Sequence, residues 1–157
     1  MLIRSAQLKD CSAMSEMINA EAEKGKMLPR SRQEIMLNLP NFFVAEINDQ
    51  IIACCGFKIW INEWIEIISL VTQKEYQRQG IGTKLVEACL TKVQDLGFRK
   101  ISTVTIDPDW FSKRGFVRIT MEELPHKIWG DCAKCPYNAA DPGDVKCKEV
   151  PMVYSSN

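Results

Sequence analysis

The run Tyr76-Gln77-Arg78-Gln79-Gly80-Ile81-Gly82-Thr83 combines a fixed cation with two closely spaced glycines. It lies between an apolar stretch, Trp64 to Thr72, and a strongly amphipathic one. A strand, a basic glycine-bearing turn and a helix N-terminus make an anion cradle. The first-turn N–H groups have no intrahelical acceptor, and the helix dipole favours negative charge beside them. Gly80 and Gly82 let a ligand approach the backbone, and the Arg78 guanidinium suits phosphate oxygens. The guest that fits is a pyrophosphate. A nucleoside triphosphate loop of the form G-x-x-x-x-G-K-[ST] is missing, and Thr83-Lys84-Leu85 after Gly82 breaks a full G-x-G-x-x-G.

Two other sets of residues carry potential chemistry. Glu66 stands amid Trp64, Ile65, Ile67 and Ile68, a charge that contradicts the strand propensity around it. Residues that break a strong local pattern are functional candidates. A partly buried carboxylate there would have its pKa raised toward neutrality and act as a general base; the ordinary alternative is a side chain on a solvent face. Cys132-x-x-Cys135, Cys147 and His126, the single histidine, offer four ligands of the kind tetrahedral zinc prefers. A closed four-ligand site would be structural. Reduced loop cysteines and a reversibly oxidised C-x-x-C are the alternatives.

The elements that must position these groups alternate between strand and helix. Leu2 to Ala6 reads as a short strand. Asp10 can cap a helix through about Ala20, with Met14, Met17 and Ile18 at helical spacing. Glu21 to Arg30 is polar, carries Gly25 and Pro29, and reads as a loop. Ser31-Arg32-Gln33-Glu34 is a capping-box pattern for a short helix to Leu37. Phe42 to Ile47 and Ile51 to Trp60 are apolar runs joined by the hairpin signal Asn48-Asp49-Gln50, and Trp64 to Thr72 is a third long strand. Ile81, Leu85, Ala88, Cys89, Val93 and Leu96 trace one helical face that stops at Gly97. Ile101 to Ile106 is another strand, Pro108 to Lys113 a short helix ending at Gly115, and Phe116 to Thr120 and Glu149 to Tyr154 closing strands.

Composition restricts the function classes. A chain of 157 residues can bury its own core, and nothing in it suggests a second domain. Lys plus Arg equals Asp plus Glu, 20 of each, so no global field draws it to nucleic acid or to an anionic membrane. No apolar stretch approaches the length of a membrane span, and Met1-Leu2-Ile3-Arg4 does not open a signal peptide. Seven cysteines without export signals point to a reducing compartment, and cytoplasmic localisation is expected. Cys11, Cys54, Cys55 and Cys89 sit in apolar patterns and read as small core residues.

Gln77, Gly80 and Gly82 also fit Q/R-x-x-G-x-G/A, and the loop sits between strand and helix in mid-chain. That combination resembles the acetyl-CoA signature of the GNAT N-acetyltransferase superfamily, and the order β-α-α-β-β-β-α-β-α-β-β is similar to that fold along nearly the whole length. Leu28-Pro29-Arg30-Ser31-Arg32 with Glu34-Ile35 resembles the acceptor-side segment of bacterial and archaeal N-acetylglutamate synthases. Ile65 to Val71 resembles their central strand, and Trp110-Phe111-Ser112-Lys113-Arg114-Gly115-Phe116 the helix that closes the acetyl-CoA pocket. Glu123-Leu124-Pro125-His126-Lys127, the C-x-x-C segment and Cys147 to Val150 resemble the tail of short, single-domain members.

The resemblance implies one α/β domain over residues 1–157, with a Cys-containing loop at about 126–148. It implies a mixed central sheet splayed open at the acetyl-CoA site and flanked by helices. Acetyl would pass from acetyl-CoA to the α-amine of L-glutamate, the first committed step toward arginine, with Glu66 as base. Gln77, Arg78, Gln79, Gly80, Ile81, Gly82 and Thr83 would hold the pyrophosphate, and Phe111 would line the cofactor pocket. Backbone N–H groups near Leu70 and Val71 would meet the oxyanion. Leu28, Arg30, Ser69 and Lys127 would bind the acceptor, Arg30 through paired hydrogen bonds to a carboxylate and Arg32 as the lesser choice. Many superfamily members use a Tyr to protonate the leaving thiolate where this chain has Phe111, which leaves Thr105, Ser112, water or direct thiolate release. A homodimer is a common superfamily state. The amino-acid-kinase-like domain of larger relatives is absent from these residues, so allosteric arginine control is not expected. The competing readings are an enzyme for another amine and a non-catalytic acetyl-CoA or metal sensor.

Overall fold

A computed structural model describes residues 1–124 and 148–155 of the chain. The hairpin between β2 (Phe42–Ile47) and β3 (Gln50–Ile59) turns on Asn48 and Asp49, with φ of 50° and 60°. A two-residue hairpin loop needs left-handed residues, and Asn and Asp tolerate that region better than most. β1 (Leu2–Ser5) runs antiparallel to β2, from Leu2 opposite Glu46 to Ser5 opposite Phe43. The element order matches the one read from the sequence: β1, α1 (Cys11–Glu23), α2 (Arg32–Leu37), β2, β3, β4 (Trp64–Thr72), α3 (Ile81–Asp95), β5 (Lys100–Thr105), α4 (Pro108–Ser112), β6 (Phe116–Arg118) and β7 (Val150–Tyr154). Among the described residues no helix is long and apolar enough to cross a membrane.

The chain divides into two compact units, one of residues 1–58 and 67–99, the other of Ile59–Glu66 and the described residues from Lys100 onward. β4 contributes to both. In the first unit the strand order is β1-β2-β3-β4, with α1, α2 and α3 against it. Cys11, Met14 and Ile18 of α1 and Ile35 of α2 pack with Phe42, Val44, Cys54 and Val71 of the strands, all buried. Ile81, Leu85, Cys89 and Val93 form the buried face of α3, as their helical spacing predicts, but Leu96 is exposed because the helix has already ended. Cys11, Cys54, Cys55 and Cys89 are buried free thiols, as their apolar settings predict.

In the second unit the order is β4-β5-β7-β6, with antiparallel pairing of β5 to β7 and of β6 to β7. Phe111 stacks edge-on with Trp110 and Phe116, centroids 4.9 and 5.2 Å away, and Tyr154 completes the aromatic cluster. The buried Ser102 hydroxyl of β5 donates to the Ile65 carbonyl at 2.9 Å, fixing the residue that precedes Glu66.

Two local expectations differ. Asp10 does not cap α1. Its carboxylate instead accepts from the Gln7 N–H at 2.7 Å and from Arg4 at 2.7 and 3.0 Å. The same Arg4 guanidinium reaches Glu46 of β2 through Nε at 2.8 Å, so the buried Asp10 charge is satisfied by an arginine that the sheet itself anchors rather than by the helix N-terminus. α1 also runs on to Glu23, three residues beyond the expected end, before the loop that carries Arg30.

Candidate functional site

The loop after β4 closes with a 3-10 turn, Lys74–Tyr76, and enters α3 through two left-handed residues, Arg78 at φ 62° and Gly80 at φ 79°. A left-handed residue followed by a helical one turns successive N–H groups to one side, a concavity that suits an anion. Gly80 is the N-cap residue of α3 and brings no side chain to cap the first-turn donors. That turn also holds no acidic residue. Next comes Lys84, exposed, and a cation so near a helix N-terminus is unfavourable unless an anion joins it. Gln77, Arg78, Gln79 and Gly80 are exposed, while Ile81 at 3% exposure anchors the turn to the core. Gln77 and Gln79 brace the loop, their Nε2 groups donating to the Thr72 and Glu75 carbonyls at 3.0 and 3.3 Å. Gly82 and Thr83 lie half-buried in the first turn of α3.

On β4, Ser69 adopts φ 56° inside a strand. A non-glycine residue in that region interrupts the pleat and costs of order 1–3 kcal/mol, so the surrounding structure must hold it there. Leu70 is half-buried and Val71 buried directly after this break. Glu66, three residues earlier on the strand, is only 2% exposed, which rules out the solvent-face reading.

The acceptor-side segment is built by α1. Ser15 and Asn19, four residues apart and so on one helical face, both donate to the Arg30 carbonyl at 3.0 Å. The Arg30 N–H donates back to Asn19 Oδ1 at 2.9 Å. Ser31 then caps α2, its Oγ accepting from the Glu34 N–H at 3.1 Å. With its backbone clamped on both sides, Arg30 has a buried Nε from which no described residue accepts. Arg32 differs: it is exposed, and its Nε donates to Ser12 Oγ at 3.1 Å. A groove of about 480 Å³ runs along α1 beside it, with Glu16, Asn19 and Glu23 among its walls. Leu28 is half-buried.

Thr105 is buried, and its Oγ1 accepts from the Asp107 N–H at 2.9 Å. Asp107 Oδ1 in turn accepts from the Trp110 N–H at 3.2 Å and starts α4. Ser112 is exposed at the end of α4, and Phe111 is 6% exposed. Arg114 stacks on the Trp110 ring at 3.5 Å from its centroid. His126, Lys127, Cys132, Cys135 and Cys147 lie outside the described residues. Among the described residues no group of three or more His, Cys, Asp or Glu is arranged to hold a metal ion. Sequence reasoning singled out Arg30 but not Ser15 and Asn19, although their spacing on α1 was a visible signal.

The model of the acetyltransferase (GNAT) family matches residues 11–117. An uncharacterised N-acetyltransferase of Chlorobaculum tepidum is 34% identical over 151 residues, covering 96% of this chain and 94% of that protein. The amino-acid acetyltransferase of Pseudomonas putida strain GB-1 is 29% identical over 126 residues. That alignment takes in 79% of this chain but 29% of the relative, so the chain spans less than a third of that enzyme. N-acetylglutamate synthase from Neisseria gonorrhoeae, complexed with coenzyme A and N-acetyl-glutamate, has a TM-score of 0.83 at 22% identity, over 98% of this chain and 34% of its own. A Mycobacterium tuberculosis protein complexed with CoA covers both chains fully, with a TM-score of 0.81 and 18% identity. At these identities the structural likeness establishes a shared fold.

Proposed function

The chain belongs to the acetyltransferase (GNAT) family and is an acyltransferase that uses acetyl-CoA, and we propose that its acceptor is the α-amine of a small amino acid, L-glutamate foremost. One observation carries the choice of acceptor: the clamped Arg30 with its buried Nε, from which no described residue accepts. A guanidinium desolvated at one edge gains most from a planar carboxylate that accepts two parallel hydrogen bonds, and glutamate brings two carboxylates. Leu28 and Ser69 are the neighbouring contacts in this reading.

The chemistry follows from the roles of the remaining groups. The exposed turn from Gln77 to Thr83 takes the pyrophosphate of acetyl-CoA on backbone N–H groups, Arg78 adding charge, and Phe111 supports the pocket wall. Glu66 removes a proton from the acceptor ammonium, directly or through water. The freed amine nitrogen attacks the thioester carbonyl, and the N–H groups of Leu70 and Val71 receive the oxyanion. Collapse breaks the C–S bond, and the second proton lost by the attacking nitrogen passes to the departing sulfur, relayed by water or by the Thr105 or Ser112 hydroxyl, so that coenzyme A leaves as the thiol.

The test is acetyl-CoA turnover by the purified protein, followed as free thiol across a panel of amino acids and amines. Saturable turnover with L-glutamate is expected. Glu66→Gln lowers kcat by about 10²–10⁴-fold, the range for loss of a general base. Arg30→Ala raises KM for glutamate by about 10–100-fold, the equivalent of the roughly 1.5–3 kcal/mol carried by a charged hydrogen bond, with kcat little changed. Turnover confined to an amine without a carboxylate, or an Arg30→Ala variant with unchanged KM, overturns the acceptor assignment.

A further inference from the structure

Beside the left-handed Ser69, β3 places two thiols against the backbone of β4. Cys54 Sγ lies 3.6 Å from the Ser69 carbonyl oxygen and donates to it, and the next residue, Cys55, has its Sγ 3.7 Å from the Ile68 carbonyl. Both thiols are fully buried. Cys55 divides its attention, since its Sγ is also 3.8 Å from the Gly56 carbonyl and interacts with the Cys89 thiol. Among the described residues, Cys54 donates to one carbonyl, that of Ser69. In a trans peptide the C=O and N–H point in opposite directions. Whatever fixes the Ser69 carbonyl therefore also fixes the Leu70 N–H, aimed away from Cys54.

We propose that Cys54 is a positioning residue: by holding the Ser69 carbonyl it sets the direction of the Leu70 N–H that meets the oxyanion. The role rests on the reading above that Leu70 and Val71 receive the oxyanion. Burial holds the Cys54 thiol well above its ordinary pKa, so the proton it donates stays on sulfur through the working pH range. The bond is individually weak. Its leverage comes from acting on a residue that the strand itself would not hold at φ 56°.

Three variants test it in the full chain. Cys54→Ala removes the donor, Cys54→Ser keeps one, and Cys11→Ala makes a comparable deletion at another buried cysteine of the same hydrophobic cluster. The first readout is backbone amide exchange at Leu70 and Val71 by NMR, which needs no substrate. Exchange at Leu70 quickens by about ten-fold in Cys54→Ala, is restored in Cys54→Ser, and is unmoved in Cys11→Ala. The second is kinetic: kcat in Cys54→Ala falls by about ten-fold, less than loss of an oxyanion donor itself, while KM for acetyl-CoA stays within about two-fold. Should Cys54→Ala not fold, Cys54→Val is the donor-free variant. Unchanged Leu70 exchange, failure of Cys54→Ser to rescue, or an equal effect of Cys11→Ala overturns the assignment. A wild-type protein that turns over no amine sinks the functional reading instead, and the exchange data then decide the role of Cys54 alone.

Discussion

Helix α3 carries a left-handed glycine at each end, and the pair separates ligand binding from backbone strain. Gly80 at φ 79° precedes the helix and Gly97 at φ 98° follows it, and a Cβ added at either position meets no atom of the described residues beyond its chain neighbours within 4 Å. Alanine at either site therefore suffers no clash, only the cost of a left-handed L-residue, about 1–2 kcal/mol. The two ends differ in how that strain can relax. Gly97 is tied into the helix terminus, its N–H donating to the Gln94 carbonyl at 2.9 Å and the Phe98 N–H to the Val93 carbonyl at 3.0 Å. The strain stays in the folded state there, and Gly97→Ala lowers Tm by about 3–6 °C while leaving acetyl-CoA affinity alone. Gly80 is preceded by the exposed residues Gln77 to Gln79, so an alanine there relaxes by turning the loop outward. Binding must then restore the cradle, and the same 1–2 kcal/mol appears as about a 5–30-fold weaker Kd for acetyl-CoA with a small Tm change. Isothermal titration with coenzyme A and thermal melts on both variants measure the two quantities side by side. Equal loss of affinity in both, or a Gly80→Ala variant that binds as the wild type does, refutes the anion-cradle reasoning.

Other expectations follow from single contacts. Burial alone would raise the Asp10 pKa, but the Arg4 guanidinium and the Gln7 N–H overcome it and hold the carboxyl below its ordinary value. A carboxylate depressed on folding stabilises above its unfolded pKa and loses that contribution as pH falls through the folded value. Asp10→Asn should therefore cost about 3 kcal/mol at neutral pH and flatten the acid limb of the stability profile, read by urea melts from pH 7 to pH 3. At Gly56 an added Cβ would stand 2.6 Å from the Phe42 ring, so Gly56→Ala forces the β2–β3 core apart and destabilises by about 1–3 kcal/mol without a change in the pH profile.

What could be read in advance divides along a physical line. The turn into α3 was legible in its glycines, because glycine before a helix is enough to bare the backbone donors there. The order of strands and helices was legible from periodicity, and α3 ends where its stop residue stands. Features that depend on a distant partner were not. Asp10 looked like a helix cap by every local rule, yet Arg4 and, through it, Glu46 of β2 claim its carboxylate. The identity of Arg30 stood out from its segment, but its backbone clamp comes from Ser15 and Asn19 of the preceding helix. The left-handed turn at Ser69 leaves no trace in Ile65 to Val71, because serine has no preference that would announce it. Its support lies on another strand, in two cysteines whose composition reads simply as core. A site whose donors are main-chain N–H groups is thus written twice in a sequence. The first copy is plain, in the glycines that bare the donors. The second is dispersed among buried side chains that hold the intervening carbonyls, and substitutions there should alter kcat before they alter binding.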